Sequence, residues 1–235
     1  MRILAVGAHP DDLEILCGGT LAAYRQGGHN VVRAHATDGA RGGAAGTDPE
    51  ELARTRTAEA AAAAAVIGAE LVMAGLPDGA VAAQDPAQRH ALVELVRAVA
   101  PDVVLTHHAE DYHGDHRQVS ELVFWATFAA ANPMVDGAGA VPPRVPALLY
   151  LDTLAGLGPQ PTEFVDISAH VERKRAMLAA HESQLRYLQE AFGADAMDQI
   201  EVTGRFRGQQ AGVRYAEAFH PCTTWHRVRT TRLLP

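Results

Sequence analysis

The sequence predicts an α/β fold: a Rossmann-like, mostly parallel sheet with helices on both faces and an elaborated C-terminal part. Short apolar runs at 2–8, 30–36, 70–74 and 102–106 alternate with stretches of helical character, the pattern of βαβ units. The turns after these runs are rich in His, Asp and Gly, and in a parallel sheet they share one edge, the carboxyl ends of the strands. At 235 residues, with no linker or internal repeat, the chain reads as one domain, 1–235.

Each element has a local reason. Residues 2–8 (R-I-L-A-V-G-A) form the first strand and 14–26 the first helix, with His9, Pro10, Asp11 and Asp12 between them. Residues 30–36 alternate as a second strand, and the glycine-rich 37–47 is expected to be a mobile loop on the substrate side. It matches neither phosphate-binding glycine pattern. Asp48 as N-cap and Pro49 in the first turn start a helix that runs to Ile67, through an alanine run with high helix propensity. Residues 70–74 are a third strand, Leu76 to Gly79 a turn whose Asp78 faces the same edge, 84–100 a helix stopped by Pro101, and 102–106 a fourth strand. Another helix starts near Asp115. Residues 132–146 read as a loop, 147–151 as a strand and 168–188 as one helix, and 205–235 collect Arg205, Arg207, Arg214, Arg227, Arg229 and Arg232.

Composition removes several function classes. A formal charge of −8 argues against a nucleic-acid-binding face. Apolar character at the start of the chain is too short for a signal-peptide core or a membrane span, so no membrane partner is expected. Cys17 and Cys222 are too few for a disulfide framework, which fits a reducing cytoplasm. With no G-x-S-x-G elbow, and Cys17 behind an acidic loop that raises its pKa, serine and thiol nucleophiles are excluded.

What remains is metal chemistry. The run from His107 to His116 carries four imidazoles and three carboxylates directly after the fourth strand. A catalytic zinc site needs three N/O ligands and an open position for water, and His9, Asp12 and His116 meet that need. Asp11, beside a ligand, is placed as general base. His113 is placed to donate to the oxyanion or to protonate the leaving amine, and Asp115 to hold its tautomer. The helix dipole near Asp115 is expected to keep His116 neutral. His35 is expected near the site but off the metal, and His29, His90 and His226 on the surface or in loops. His107 and His108 stay undecided.

These residues resemble the LmbE-like (PIG-L) family of zinc-dependent N-acetylglucosamine deacetylases. The likeness rests on A-H-P-D-D at Ala8 to Asp12, T-x-G at Thr37 to Gly39, R-x-x-E at Arg56 to Glu59, L-P-D-G at Leu76 to Gly79, H-x-D-H at His113 to His116, H-x-S-Q at His181 to Gln184 and Y-A-E-A-F at Tyr215 to Phe219. The resemblance implies zinc on His9, Asp12 and His116 (a set that also accommodates Fe²⁺), Asp11 as base, His113 as its electrostatic and acid partner, and Asp115 orienting His113. It also implies a small acetylated amino-sugar substrate and a homo-oligomer, with a hexamer among the possible orders.

The longer run H-P-D-D-L-E-I-L-C-G-G-T looks most like the bacillithiol-pathway branch, whose substrate is N-acetylglucosaminyl malate. In that reading Arg56 and Arg144 meet the malate carboxylates, the arginine-rich C-terminal segment is a looser third candidate, and Tyr215 also touches substrate. The alternatives are a chitobiose-type deacetylase, a thiol-conjugate amidase or, from another class, a metal-dependent nucleotide-binding module.

Overall fold

The computed structural model describes residues 1–225 and Arg227. Arg229, Arg232 and His226 lie outside the described residues. A seven-stranded sheet runs in the order β3-β2-β1-β4-β5-β7-β6. β1 (Arg2–Gly7), β2 (Asn30–Thr37), β3 (Glu70–Leu76), β4 (Val103–Thr106) and β5 (Ala147–Leu151) are parallel, as expected. β7 (Ala216–Pro221) pairs antiparallel with both β5 and β6 (Glu163–Asp166).

β1 has β2 on one side and β4 on the other, so the chain direction through the sheet reverses there. That switch point opens a crevice between the loops leaving β1 and β4.

Strand alternation divides the core. Leu4, Val6 and Val104 face α3 (Pro86–Val99) and α4 (Gly114–Ala129), where Leu92, Val96, Leu122 and Val123 cover them. Ile3, Ala5 and Leu105 face the other way, onto Leu13 and Leu21 of α1 (Asp12–Gln26) and Val171 of α5 (Val171–Ala179). In α2 (Pro49–Ile67) the alanine run is structural. Ala60, Ala63 and Ala64 are buried at helical spacing, and Asp48 caps the N-terminus through the amide of Glu50.

The C-terminal part differs from its sequence reading. The single helix expected over 168–188 breaks at Ala180–His181 into α5 and α6 (Glu182–Phe192), because His181 turns inward to zero exposure and its Nε2 sits 3.3 Å from the buried Glu14. β6, β7 and α7 (Ala196–Ala211) were not expected. β6 is four residues long with an irregular burial pattern, and α7 exposes Val202 and Phe206, so neither carries clear periodicity.

α1 is kinked at Cys17, whose φ of −145° leaves the helical region. The C-terminal part satisfies the groups that the kink releases. Glu217 of β7 accepts from the amides of Gly19 and Thr20 at 3.0 and 2.7 Å, and Lys174 of α5 donates to the carbonyl of Ile15 at 2.8 Å and pairs with Glu217. Gly19 is required at this crossing, since a Cβ there would lie 2.7 Å from Ile167. The glutamate of the Y-A-E-A-F motif is thus a brace for the first helix.

Candidate metal and active site

The loop leaving β1 is a tight turn. Asp11 adopts a φ of 110°, a left-handed conformation that costs a non-glycine residue roughly 1–3 kcal/mol. It is the N-cap residue of α1 yet makes no side-chain cap bond. Its carboxylate instead lies 3.4 Å from Arg56, buried among charges. Burial pushes its pKa up to about 6, with Arg56 opposing and Asp12 adding to the rise. A carboxylate tuned toward neutrality suits a general base.

The loops from β1, β3 and β4 converge on His9. Its Nε2 lies 3.2 Å from both Asp78 and Asp115, and its Nδ1 lies 3.6 Å from Asp12. Burial disfavours the imidazolium of His9, but hydrogen bonds to Asp115, Asp12 and Asp78 outweigh it and hold the pKa well above the ordinary value. His116 places Nε2 3.3 Å from Asp12 and Nδ1 3.0 Å from Asp111. Burial again disfavours its charge, yet Asp12 and then Asp111 raise its pKa to about 9. The α4 dipole, worth at most ~2 kcal/mol, is therefore a smaller influence on His116 than its contacts with Asp12 and Asp111.

His113 is the N-cap of α4, and its Nδ1 accepts from the amide of Asp115 at 3.2 Å. An accepting Nδ1 leaves the proton on Nε2, so the ring presents an N–H donor to its surroundings. Burial lowers its pKa, and His116 and His9 lower it further. Of the two roles expected for His113, donating to an oxyanion fits this tautomer, whereas protonating the amine does not. Asp115 differs from expectation as well. Its carboxylate goes to His9 and to the amide of Gly79 at 2.8 Å, and only its backbone amide touches His113.

Three groups of side chains hold donor atoms within 4.8 Å of one another: His9, His113 and His116; Asp12, His107 and His116; and His9, Asp78 and Asp115. The sequence-predicted trio of His9, Asp12 and His116 is not one of these groups but threads through them by the pairwise approaches already given. Ligand atoms ~2.0–2.1 Å from a tetrahedral cation lie roughly 3.3 Å apart. Asp12 meets that spacing with His116 at 3.3 Å and approaches it with His9 at 3.6 Å, while the rings of His9 and His116 stand 5.3 Å apart between centroids. The donor chemistry fits too. Each imidazole of the trio rests its remote nitrogen on a carboxylate, His9 on Asp78 and Asp115 and His116 on Asp111.

His107 is fully buried, accepts from the amide of Ala8 at 2.9 Å and stacks on His116 with ring centroids 3.9 Å apart. Its Nε2 also lies 3.1 Å from the Asp12 carboxylate, so His107 belongs to the cluster itself. His108 points elsewhere, to Tyr150 and His220. His35 is buried on β2 outside these groups, and burial drives its pKa down to about 3. Burial also raises the Cys17 thiol, with Glu217 as the next contributor, so the acidic loop invoked from sequence is not the main cause.

The expected substrate contacts fare differently. Arg56 is at the site but buried, donating to the carbonyls of Pro10 and Gly39 at 2.6 and 3.0 Å and facing Asp11, so it holds the loop and has no free face for substrate. Arg144 is exposed at the opposite sheet end, where it binds Asp102 at 2.8 Å beside the start of β1. Tyr215 is buried, with its hydroxyl on Glu201. In the arginine-rich segment, Arg207 is locked on Asp152, Arg205 pairs with Glu201, and Arg227 donates to Thr127 and Phe124.

Sequence reasoning missed Asp111 as the partner of His116 and missed the buried ion pair of Glu14 with Arg33. Asp111 is one of the three carboxylates in the run from His107 to His116. The Glu14 pair had no signal beyond a glutamate and an arginine in otherwise apolar elements.

A doubly wound α/β fold with a His/Asp cluster at its switch point defines a class of metal-site proteins. The chain belongs to the PIG-L family, described as GlcNAc-PI de-N-acetylase, which matches residues 4–127. It is 34% identical over 183 residues to a 1D-myo-inositol 2-acetamido-2-deoxy-alpha-D-glucopyranoside deacetylase of Kineococcus radiotolerans, a match covering 63% of this chain and 51% of that protein. The chain thus spans about half the length of that relative. It is 28% identical to the diacetylchitobiose deacetylase of Thermococcus kodakarensis, over 92% of this chain and 81% of the relative. A conserved protein of Thermus thermophilus superposes with a TM-score of 0.81 at 30% identity, covering 99% of this chain and 100% of its own.

Proposed function

We propose that this protein is a metal-dependent hydrolase that removes the N-acetyl group from an N-acetylglucosamine derivative. The observation that carries the reading is Asp11, a buried, strained carboxylate beside Asp12 and free of any helix-capping duty. We assign the metal to His9, Asp12 and His116 and take it to be zinc, with iron accommodated by the same donors. A divalent cation held there would supply Lewis-acid activation of water and of the acetamide carbonyl.

The chain's own groups do the rest. Asp11 takes a proton from the attacking water while the water oxygen bonds to the carbonyl carbon. The Nε2–H of His113 donates to the developing oxyanion. The C–N bond then breaks, the proton carried by Asp11 goes to the departing nitrogen, and acetate and a free amino sugar result. Arg56 keeps Asp11 in place without touching substrate.

The aglycone is the finer question. The malate reading loses Arg56 and Arg144, and what supports it is the H-P-D-D-L-E-I-L-C-G-G-T run alone. The inositol- and chitobiose-type deacetylases among the relatives support a sugar or cyclitol aglycone equally well. The homo-oligomer implied by the resemblance belongs to the same reading, and sedimentation measures it.

The test is release of free amine from a panel containing N-acetylglucosaminyl malate, the inositol glycoside of N-acetylglucosamine and diacetylchitobiose. Asp11→Asn keeps an oxygen for Arg56 and should retain bound metal while kcat falls roughly 10²- to 10⁴-fold. An Asp11→Asn protein of undiminished activity refutes the assignment.

A further inference from the structure

We propose that Arg41 is a specificity-determining residue that binds an anionic group, a carboxylate or a phosphate, on the part of the substrate beyond the acetamido sugar; this rests on the deacetylase reading above. Arg41 lies in the glycine-rich loop, expected to be mobile, whose first half is instead pinned. The amide of Gly39 donates to the Thr37 hydroxyl at 3.3 Å, that of Ala40 to Asp38 at 3.0 Å, that of Gly42 to the Gly39 carbonyl at 3.1 Å and that of Arg41 to Asp78 at 2.7 Å.

Two routes tie Arg41 to the site. Asp78 holds the Arg41 amide with one oxygen and faces His9 Nε2 with the other, at 3.2 Å. The aliphatic stem of Arg41 crosses Gly79, where a Cβ would lie 3.1 Å from its Cδ, and the Gly79 amide binds Asp115, the second carboxylate on His9. Arg41 therefore stands one carboxylate away from a ligand assigned to the metal.

Its guanidinium is exposed and has no acceptor or carboxylate partner among the described residues. A surface arginine recruited to offset the acidic site would pair with Asp78 or Asp38. Here those carboxylates take backbone amides instead, and all five guanidinium donors stay available. Arg56, the other arginine at this loop, is buried and already engaged. A planar cation with free donors at the rim of an acidic site is suited to a carboxylate or phosphate, which it grips in two-point fashion.

The experiment compares kcat/KM of the metal-loaded enzyme for methyl N-acetylglucosaminide, its carboxymethyl counterpart and N-acetylglucosamine 1-phosphate. The wild type should prefer the anionic substrates, and the carboxymethyl and phosphate arms show which anion is favoured. Arg41→Gln should lower the anionic-to-neutral ratio roughly 10- to 100-fold, through KM, with Arg41→Lys restoring part of it. An unchanged ratio in Arg41→Gln, or no anionic preference in the wild type, overturns the inference and leaves the deacetylase reading standing. Absence of amine release from every substrate overturns the deacetylase reading. Titration calorimetry of the carboxymethyl sugar then decides on Arg41: binding at least tenfold weaker in Arg41→Gln supports it, and equal binding refutes it.

Discussion

Nδ1 of His116 lies 3.0 Å from the carboxylate of Asp111, five residues earlier, and the same Asp111 oxygen accepts the amide of His113 at 3.0 Å. One carboxylate thus orients the imidazole assigned to the metal and shapes the turn that starts α4. Carboxylates placed behind ligand histidines typically contribute 10- to 100-fold to metal affinity. Asp111→Asn should weaken zinc binding by that factor while Asp11 and His113 stay in place. Competition against a chelator of known affinity measures it, and an unchanged zinc affinity contradicts the arrangement.

His113 has two separable duties, capping α4 and presenting an N–H. Asparagine is among the best N-cap residues and can accept the Asp115 amide, but it lacks the imidazole. His113→Asn should therefore keep its melting temperature within a few degrees while kcat falls roughly 10²- to 10³-fold. Loss of fold together with activity would mean that capping is its whole role.

Glu14 is fully buried against Arg33, with His181 on the same oxygen. Burial alone would raise its pKa, but Arg33 first and His181 next lower it from 4.5 to about 2. A carboxyl held below its ordinary value stabilises fully above the unfolded pKa. That contribution, about 3 kcal/mol, is lost as pH falls from 4.5 through 2. Arg33→Met, which strands a buried carboxylate, should cost about 3–5 kcal/mol in urea unfolding at pH 7. The deficit should narrow as pH falls, first above 4.5 as the stranded Glu14, raised by burial, takes up a proton in the variant, and then from 4.5 through 2 as the wild-type pair loses its contribution. A deficit independent of pH would show that packing, not charge, is at stake.

Arg144 makes an exposed ion pair far from the His9 cluster. Arg144→Ala should leave kcat and KM unaltered for every substrate and cost under ~1 kcal/mol of stability. A raised KM for an acidic substrate would restore it to the binding site.

Local chemistry made much of this legible. The bounds of α2, set by an N-cap, a first-turn proline and Gly68, and those of β5 coincide with their sequence readings. β1 and β4 were readable because parallel strands buried on both faces are near-continuous apolar runs, and β2 by its alternation. The meeting of the β1 and β4 loops followed from the switch-point rule, and it brought His9, Asp11, Asp12, His113, Asp115 and His116 together. β6, β7 and α7 were not legible, because they acquire their pairing and burial from contacts with β5 and the kinked α1 rather than from a pattern of their own.

The sequence by itself determined the set of chemical groups at this site and the sheet edge where they gather, since both depend on residue type and on the alternation of strands and helices. Tertiary structure alone decided the partnership of each group. It turned Asp115 toward His9, put Asp111 behind His116, withdrew Arg56 into the loop it supports and sent Arg144 to the far end of the sheet. Hydrogen bonds and buried charges at this site are settled by separations of a few ångströms between residues as many as 106 positions apart, and spacing along the chain carries no record of those distances.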